Sequence, residues 1–365
     1  MRKVLHYKTN FLNNSETFIN RLIKNHQTYE PAALCYQKKS FTDGIRIYEV
    51  PGNEFSFIRN CLAFHLNFPL PFYKQIIREL KPDIIHAHFG YDAYKMLHIA
   101  REQNIPLVTS FYGSDVTRLP SELFWTTRYK KLAAFGAHFI AASDLMKNQL
   151  EELGFPAEKI SVVRFGLNLK ELKFYENKPG SKKILMVGRL VEKKGFEYAL
   201  MAISHLKRKG IIPEVNIFGD GPLRKKLTDL TEELGISNFV TFHGFKPVEE
   251  ILKAHGSHSL LLAPSVKASD GDTEGLPNTI LEAMAMGTVV VATRHAAIPE
   301  VVEHEKTGFL AGERNPEELA EILEKLFSGR YDLKMIRNRA RKCIEESYSV
   351  DKMVSDTEKI YDRLL

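Results

Sequence analysis

Short apolar runs alternate with stretches whose apolar residues recur at helical spacing, almost from one end of the chain to the other. In the first half the runs KVLHY (3–7), AALCY (32–36), DIIHAH (83–88), PLVTSFY (106–112) and HFIAAS (138–143) predict strands. FYKQIIRELK (72–81) and DLMKNQLEELG (144–154) predict helices between or after them. The same rhythm restarts in the second half with ILMVG (184–188), EVNIFGDG (214–221), FVTFHGF (239–245), SLLLAPS (259–265) and TVVVATR (288–294). Strand and helix in strict alternation predict an α/β protein with doubly wound parallel sheets, helices covering both faces.

The break between the halves is ENKPGSKK, a polar Pro-Gly segment that opens into ILMVGR. It predicts two Rossmann-like domains, 1–175 and 176–345, with a C-terminal helix at 346–365 that packs back on the first. A length of 365 residues agrees, because it exceeds what one core usually fills. The net charge of +6 is dispersed among acids, so it predicts no nucleic acid partner and at most a mild attraction to anionic substrates or lipid surfaces. Cys35, Cys61 and Cys343 are too scattered for a disulfide framework or thiolate metal site, which fits a reducing cytoplasm. The start, MRKVLHYKTNFLNNSETF, has no apolar core of a signal peptide, and no later run reaches the roughly 18–20 apolar residues of a membrane span. A cytoplasmic location, with peripheral contact at the inner membrane surface allowed, is the expectation.

In doubly wound sheets ligands bind beyond the carboxyl ends of the strands, so the loops after ILMV, VNIF, TF and LLLAP should converge. GRLVEKKG offers Arg189 and Lys194, a fork and a point charge that could clamp a diphosphate or form a solvated basic turn. FGDGPLRKKL places Gly219 and Gly221 before a helix expected to begin at Pro222; close approach to a phosphate and a tight strand-to-helix turn explain it equally well. It is not the dinucleotide fingerprint, since Leu223 and Arg224 stand where its last glycine is needed.

DTEGLPNTILEAMAMG, 272–287, carries two glutamates seven residues apart around a helix start. Pro277 suits the first helical position and Gly287 the end. Ile280, Ala283, Met284 and Gly287 form the stripe for the sheet, leaving Glu282 pointing away and free to bind. Amides near Leu276 to Thr279 would receive a phosphate oxygen. A carboxylate only accepts hydrogen bonds, so Glu274 would hold sugar hydroxyls beyond the phosphate and Glu282 those of a ribose. A capping carboxylate and a surface glutamate are the bland alternatives.

EGLPNTILE, followed by AMAMG, VVVATRHAAIPEVV and HEKTGFL and preceded by GRLVEKKG and FGDGPL, resembles the retaining family-four glycosyltransferases. The resemblance covers nearly all of the second half, and SETF (15–18), HAHFG (86–90) and PSVKASDGDTEG (264–275) are similar to bacterial exopolysaccharide transferases of the colanic-acid type. It implies the GT-B fold, two Rossmann-like domains facing across a cleft. By position it implies that Arg189 and Lys194 bind the donor diphosphate, and that Gly188, Gly219 and the loop of His243, Gly244, Phe245 and Lys246 surround the nucleotide. It further implies that Glu274 with Gly275, Leu276, Pro277, Asn278 and Thr279 grips the donor sugar and distal phosphate, and Glu282 the ribose.

On the acceptor side the resemblance implies Ser15, Glu16 and Thr17, whose amides would face the diphosphate, together with His88, Tyr112 and Asp115; SETF could equally be an ordinary N-cap. His86 and His88 share a strand face without a third ligand at metal spacing, so one packed and one cleft-facing histidine, His88, is expected. Where the family has Phe-His-Gly-x-Asp this chain reads Phe111-Tyr112-Gly113-Ser114-Asp115, which rules out an imidazole-specific role there: the phenol can still donate a hydrogen bond, or the contact could come through the backbone. Asp270-Gly271-Asp272 is taken as a solvated or acceptor-facing loop rather than a metal site, the two cations neutralising the diphosphate. The expectation is a retaining hexosyltransferase without metal or cofactor, using a nucleotide sugar, UDP first, and a saccharide or lipid-linked acceptor in cell-surface polysaccharide synthesis. The alternatives are a sugar-nucleotide epimerase of the same fold and a noncatalytic donor-binding module; a nicotinamide oxidoreductase lacks its glycine fingerprint.

Overall fold

The computed structural model describes residues 1–11, 16–39, 44–51, 71–175 and 182–365. Its contacts divide the chain into two units, Met1–Leu167 with Ser349–Leu365, and Asn168–Tyr348.

The first unit is built on β1 (Arg2–Phe11), β2 (Tyr29–Lys38), β3 (Arg46–Glu49), β4 (Ile84–His88), β5 (Leu107–Phe111), β6 (His138–Ala141) and β7 (Ile160–Val162). Their order across the sheet is β3-β2-β1-β4-β5-β6-β7, every pair parallel. β4 and β5 are buried at every position, as an apolar run covered on both faces must be. The order reverses between β1 and β4, so the crevice for a ligand lies beyond Phe11 and His88. The helix Val350–Leu364 closes the unit: Ser349 caps it, and Val350, Met353, Val354 and Tyr361 join Val4, Ile84 and Val108 in one core.

In the second unit β8 (Lys183–Val187), β9 (Glu214–Phe218), β10 (Val240–Gly244), β11 (Leu260–Ala263), β12 (Val289–Thr293) and β13 (Phe309–Ala311) lie in the order β10-β9-β8-β11-β12-β13, again all parallel. Ile184, Met186, Ile217 and Val291 on the strands pack with Leu200 and Ile203 of the helix Phe196–Arg208. The reversal falls between β8 and β11, which puts the ligand end beyond Val187, Phe218 and Ala263. No helix among the described residues is long and apolar enough to cross a membrane.

Candidate active site

Three strand-end loops of the second unit interlock by backbone. Gly188 N–H donates to Phe218 O (3.0 Å), Gly219 N–H to Gly244 O (2.8 Å) and Leu190 N–H to Asp220 O (2.9 Å). A Cβ on Gly219 would stand 1.9 Å from Gly188 O and one on Gly221 2.6 Å from Leu190 O, so both glycines serve the approach of loop to loop. The helix after them starts at Arg224, two residues beyond Pro222, because residues 222–223 are spent in the turn. Between the loops is a cavity of about 400 Å³ lined by Gly188, Arg189, Phe218, Gly219, Phe245 and Lys246, among others. Phe245 is 73% exposed, a large aromatic left facing water. Lys246 pairs with Glu250 at 3.2 Å. His243 stacks on Phe218 and hydrogen-bonds Asn216 Oδ1 at 2.6 Å.

Arg189 is exposed. The stem of Lys194 lies against Gly188, where a Cβ would come within 3.2 Å of its Cε. Its ammonium reaches Glu274 Oε2 at 3.2 Å. Lys193, which the sequence reading left without a role, approaches Asp272 Oδ2 at 3.0 Å and Glu274 Oε1 at 3.8 Å. Glu274 N–H donates to His295 Nε2 (3.2 Å), and the other ring nitrogen of His295 is bound to Glu313 (2.6 Å). That fixes His295 as the Nδ1–H tautomer and props the glutamate loop. Nothing in RHAAIPE marks such a histidine, since its partner is distant in sequence.

Glu274 is nearly enclosed, its side chain 10% exposed, yet its buried Oε1 has no hydrogen-bond donor among the described residues. The same holds for Asp272 Oδ1 and Asn278 Oδ1. Buried oxygens left without donors are costly, so an array of them marks where a donor-rich ligand belongs. Gly275, Leu276 and Pro277 follow directly, and the helix runs Asn278–Ala285 with Pro277 as its N-cap, so it starts one residue later than the sequence predicts. Thr279 is half-buried in its first turn.

Glu282 differs from expectation: it is buried, 8% exposed, not presented. Every residue from Ile280 to Ala285 is buried, so this helix is enclosed on all sides and a position off the apolar stripe still meets protein. Asp270 Oδ1 accepts from Asp272 N–H, and Asp272 Oδ2 meets Lys193 of the neighbouring loop, while Asp272 Oδ1 stays without a donor among the described residues.

In the first unit Ser15 lies outside the described residues. Glu16 precedes the helix Thr17–Lys24 without capping it, and its carboxylate lies 3.5 Å from buried Lys8. Asp115 is fully buried and accepts from Gly90 N–H (3.1 Å), Tyr112 N–H (3.2 Å) and Gly113 N–H (2.9 Å). Burial raises its pKa while those amides pull it back down. It therefore clamps the two strand-end loops together and presents nothing itself.

His88 corrects the expectation of a cleft-facing imidazole, for both His86 and His88 are fully buried. The register of β1 against β4 sets His6 opposite His86, so three histidines share one covered face. His88 Nδ1 bonds the Tyr112 hydroxyl at 2.6 Å, His86 bonds Tyr361 (2.5 Å) and Ser110 (2.7 Å), and His6 bridges His88 (3.0 Å) and His26 (2.9 Å). Nitrogens of His6, His86 and His88 lie within 4.8 Å of one another, a grouping that spacing along one strand cannot reveal.

Burial lowers the pKa of His6, His88 and His86, the last to about 3, and the proximity of the other imidazoles, with Lys8 beside His88, opposes charging any one of them further. For His26 burial also lowers it, Glu358 opposing. The unfolded chain takes up protons near 6.5, the folded one only below that, so acidification favours unfolding. Stability is expected to fall as the pH drops below about 6.5 and to go on falling toward about 3, where His86 takes up its proton, with up to about 1.4 kcal/mol per pH unit for each histidine involved. Urea unfolding across that range checks it; a flat profile would contradict the neutral cluster.

Several comparisons place the chain. A solved glycosyltransferase of Rickettsia africae superposes with a TM-score of 0.80 at 21% identity, covering 100% of this chain and 98% of the other. HepE of Anabaena, solved with UDP, gives 0.79 at 18% identity over 100% of both chains. The fold is thus that of the GT-B glycosyltransferases. The family described as glycosyl transferases group 1 matches residues 169–343, and glycosyltransferase family 4 matches residues 24–171. The amylovoran biosynthesis glycosyltransferase AmsK of Erwinia amylovora is 35% identical over 287 residues, 77% of this chain and 70% of that protein. WcaL of Escherichia coli, named for colanic acid biosynthesis, is 33% identical over 281 residues, 75% of this chain and 69% of that one. The chain belongs to this glycosyltransferase family, and it is an enzyme that transfers glycosyl groups.

Proposed function

We propose that the enzyme transfers a hexosyl group, with retention of configuration, from a nucleoside diphosphate sugar to a saccharide or lipid-linked acceptor in exopolysaccharide synthesis. The observation that carries the donor reading is the buried, donorless Oε1 of Glu274 beside Lys193 and Lys194. A sugar diphosphate supplies the missing donors, hydroxyls that give hydrogen bonds to Glu274, and brings phosphate charge to ammonium groups that already stand on Glu274 and Asp272. UDP is the first choice of nucleotide because HepE, of the same fold, was solved with UDP and with UDP-glucose. AmsK and WcaL, named for amylovoran and colanic acid biosynthesis, support the polymer context.

The nucleobase is assigned to the cavity beside Phe245, whose exposed ring offers a stacking face, and the diphosphate to Arg189, Lys194 and the amides after Gly275. As the bond from C1 to the phosphate oxygen breaks, charge accumulates on the diphosphate, and these cations stabilise it. The new bond forms from the acceptor oxygen to the same face of C1, the acceptor's proton passing to the departing phosphate oxygen. Lys193 on Asp272 supports a reaction without metal, a fixed ammonium standing where an acidic pair would otherwise recruit a cation. The acceptor is assigned to the first unit. The place of action is the cytoplasm or the cytoplasmic face of the membrane.

Incubation with UDP- and GDP-sugars, with and without lipid-linked saccharides, tests this. Transfer with an unchanged anomeric configuration is expected; an inverted product would sink the same-face displacement, and an epimerised donor without acceptor would favour the epimerase.

A further inference from the structure

A neutral imidazole has one N–H and one lone pair, so a file of imidazoles ending on a carboxylate has only one consistent direction. Glu358, on the helix Val350–Leu364, accepts from Gln27 N–H (2.8 Å), the Thr28 hydroxyl (2.8 Å) and His26 Nδ1 (2.9 Å). Burial would raise its pKa, but these hydrogen bonds hold it lower, as a carboxylate. His26 therefore donates from Nδ1 and must accept at Nε2. His6 Nε2, 2.9 Å away, is the donor to it, which leaves His6 Nδ1 as acceptor for His88 Nε2 at 3.0 Å. His88 Nδ1 then accepts from the Tyr112 hydroxyl at 2.6 Å. Each step follows from the one before, and burial keeps the three rings neutral.

We infer that Tyr112 meets the saccharide as a hydrogen-bond acceptor only, its own proton committed inward, and that His88, His6, His26 and Glu358 are positioning residues that hold it so. This rests on the assignment of Tyr112 to the acceptor side. It reverses the expectation that the phenol donates, and it names the group recognised: a hydroxyl with its hydrogen turned toward Tyr112. Tyr112 itself is half-buried, packed against Phe18, Phe89 and Phe165, so its ring has little freedom to turn the hydroxyl elsewhere.

Long-range proton–nitrogen NMR spectra of the full chain labelled at histidine nitrogen, without substrate, should show His26 as Nδ1–H and His6 and His88 as Nε2–H. His88 as Nδ1–H would overturn the directed file. In transfer assays Tyr112→Phe should lower kcat/KM about 10- to 100-fold. His6→Leu, which frees His88 to change tautomer, should do the same, and the double variant should be no worse than Tyr112→Phe alone. Unchanged kcat/KM in Tyr112→Phe, or additive losses in the double variant, would overturn the role. Should His6→Leu fail to fold, the spectrum and Tyr112→Phe still decide. Because the spectrum needs no substrate, it judges the file even if the donor assignment fails.

Discussion

Lys194→Ala is expected to lower kcat/KM about 100- to 1000-fold, the usual cost of removing one preorganised group that stabilises charge developing in the transition state. Glu274→Ala should fall in the same range, chiefly through kcat, if its hydroxyl contacts tighten as the sugar flattens. Stability should move far less. The Lys194–Glu274 contact is one ion pair at 3.2 Å, and Lys193 remains 3.8 Å from the other oxygen of Glu274. A net loss of about 1–2 kcal/mol, or a few degrees in Tm, is the scale for such a contact. Steady-state kinetics beside thermal unfolding separates the two; full activity in both variants would show the site misassigned.

The second large effect falls on the fold of the same site. Gly219→Ala sets a methyl 1.9 Å from the carbonyl oxygen of Gly188 at a backbone φ of +138°, where side chains are rarely accommodated. Neither loop can retreat cheaply, because Gly188 N–H is bound to Phe218 O and Gly219 N–H to Gly244 O. A destabilisation of about 3 kcal/mol is expected, with loss of UDP binding, since the cavity walls are the loops being pushed apart. Denaturant unfolding and UDP titration of the folded fraction are the measurements. A variant that keeps both stability and UDP affinity would mean that the interlocked loops are not what holds the nucleotide.

The inner strands were legible because each is a continuous apolar run, but β3, β7 and β13 were not. RIYE, ISV and FLA are too short to show a period, and they become strands only by pairing with a neighbour at or near the sheet edge. Gly188 to Lys194 and Glu274 to Thr279, the loops proposed to hold the donor, could be singled out for a different reason: each is a contiguous stretch, so the charged and small residues stand together in sequence order. Glu282 failed because helical periodicity tells which face meets the sheet, not whether the opposite face is open. The histidine file failed because its members come from β1, the turn after Thr17–Lys24, β4 and the helix Val350–Leu364, and only strand register and helix docking bring them together.

The first unit is not finished when its own stretch of chain is. Leu167 ends its first segment, and the next residue to join it is Ser349, whose neighbour Val350 donates to Leu167 O at 3.0 Å. During vectorial synthesis at about 5–20 residues per second, the entire second unit emerges before Glu358 and Tyr361 can reach His26 and His86. Until then those imidazoles lack their partners and the core around Val4 and Ile84 is open on one side. The second unit, continuous in sequence from Asn168 to Tyr348, is therefore the one able to complete its folding first on the ribosome, and the histidine-rich unit waits for the helix Val350–Leu364.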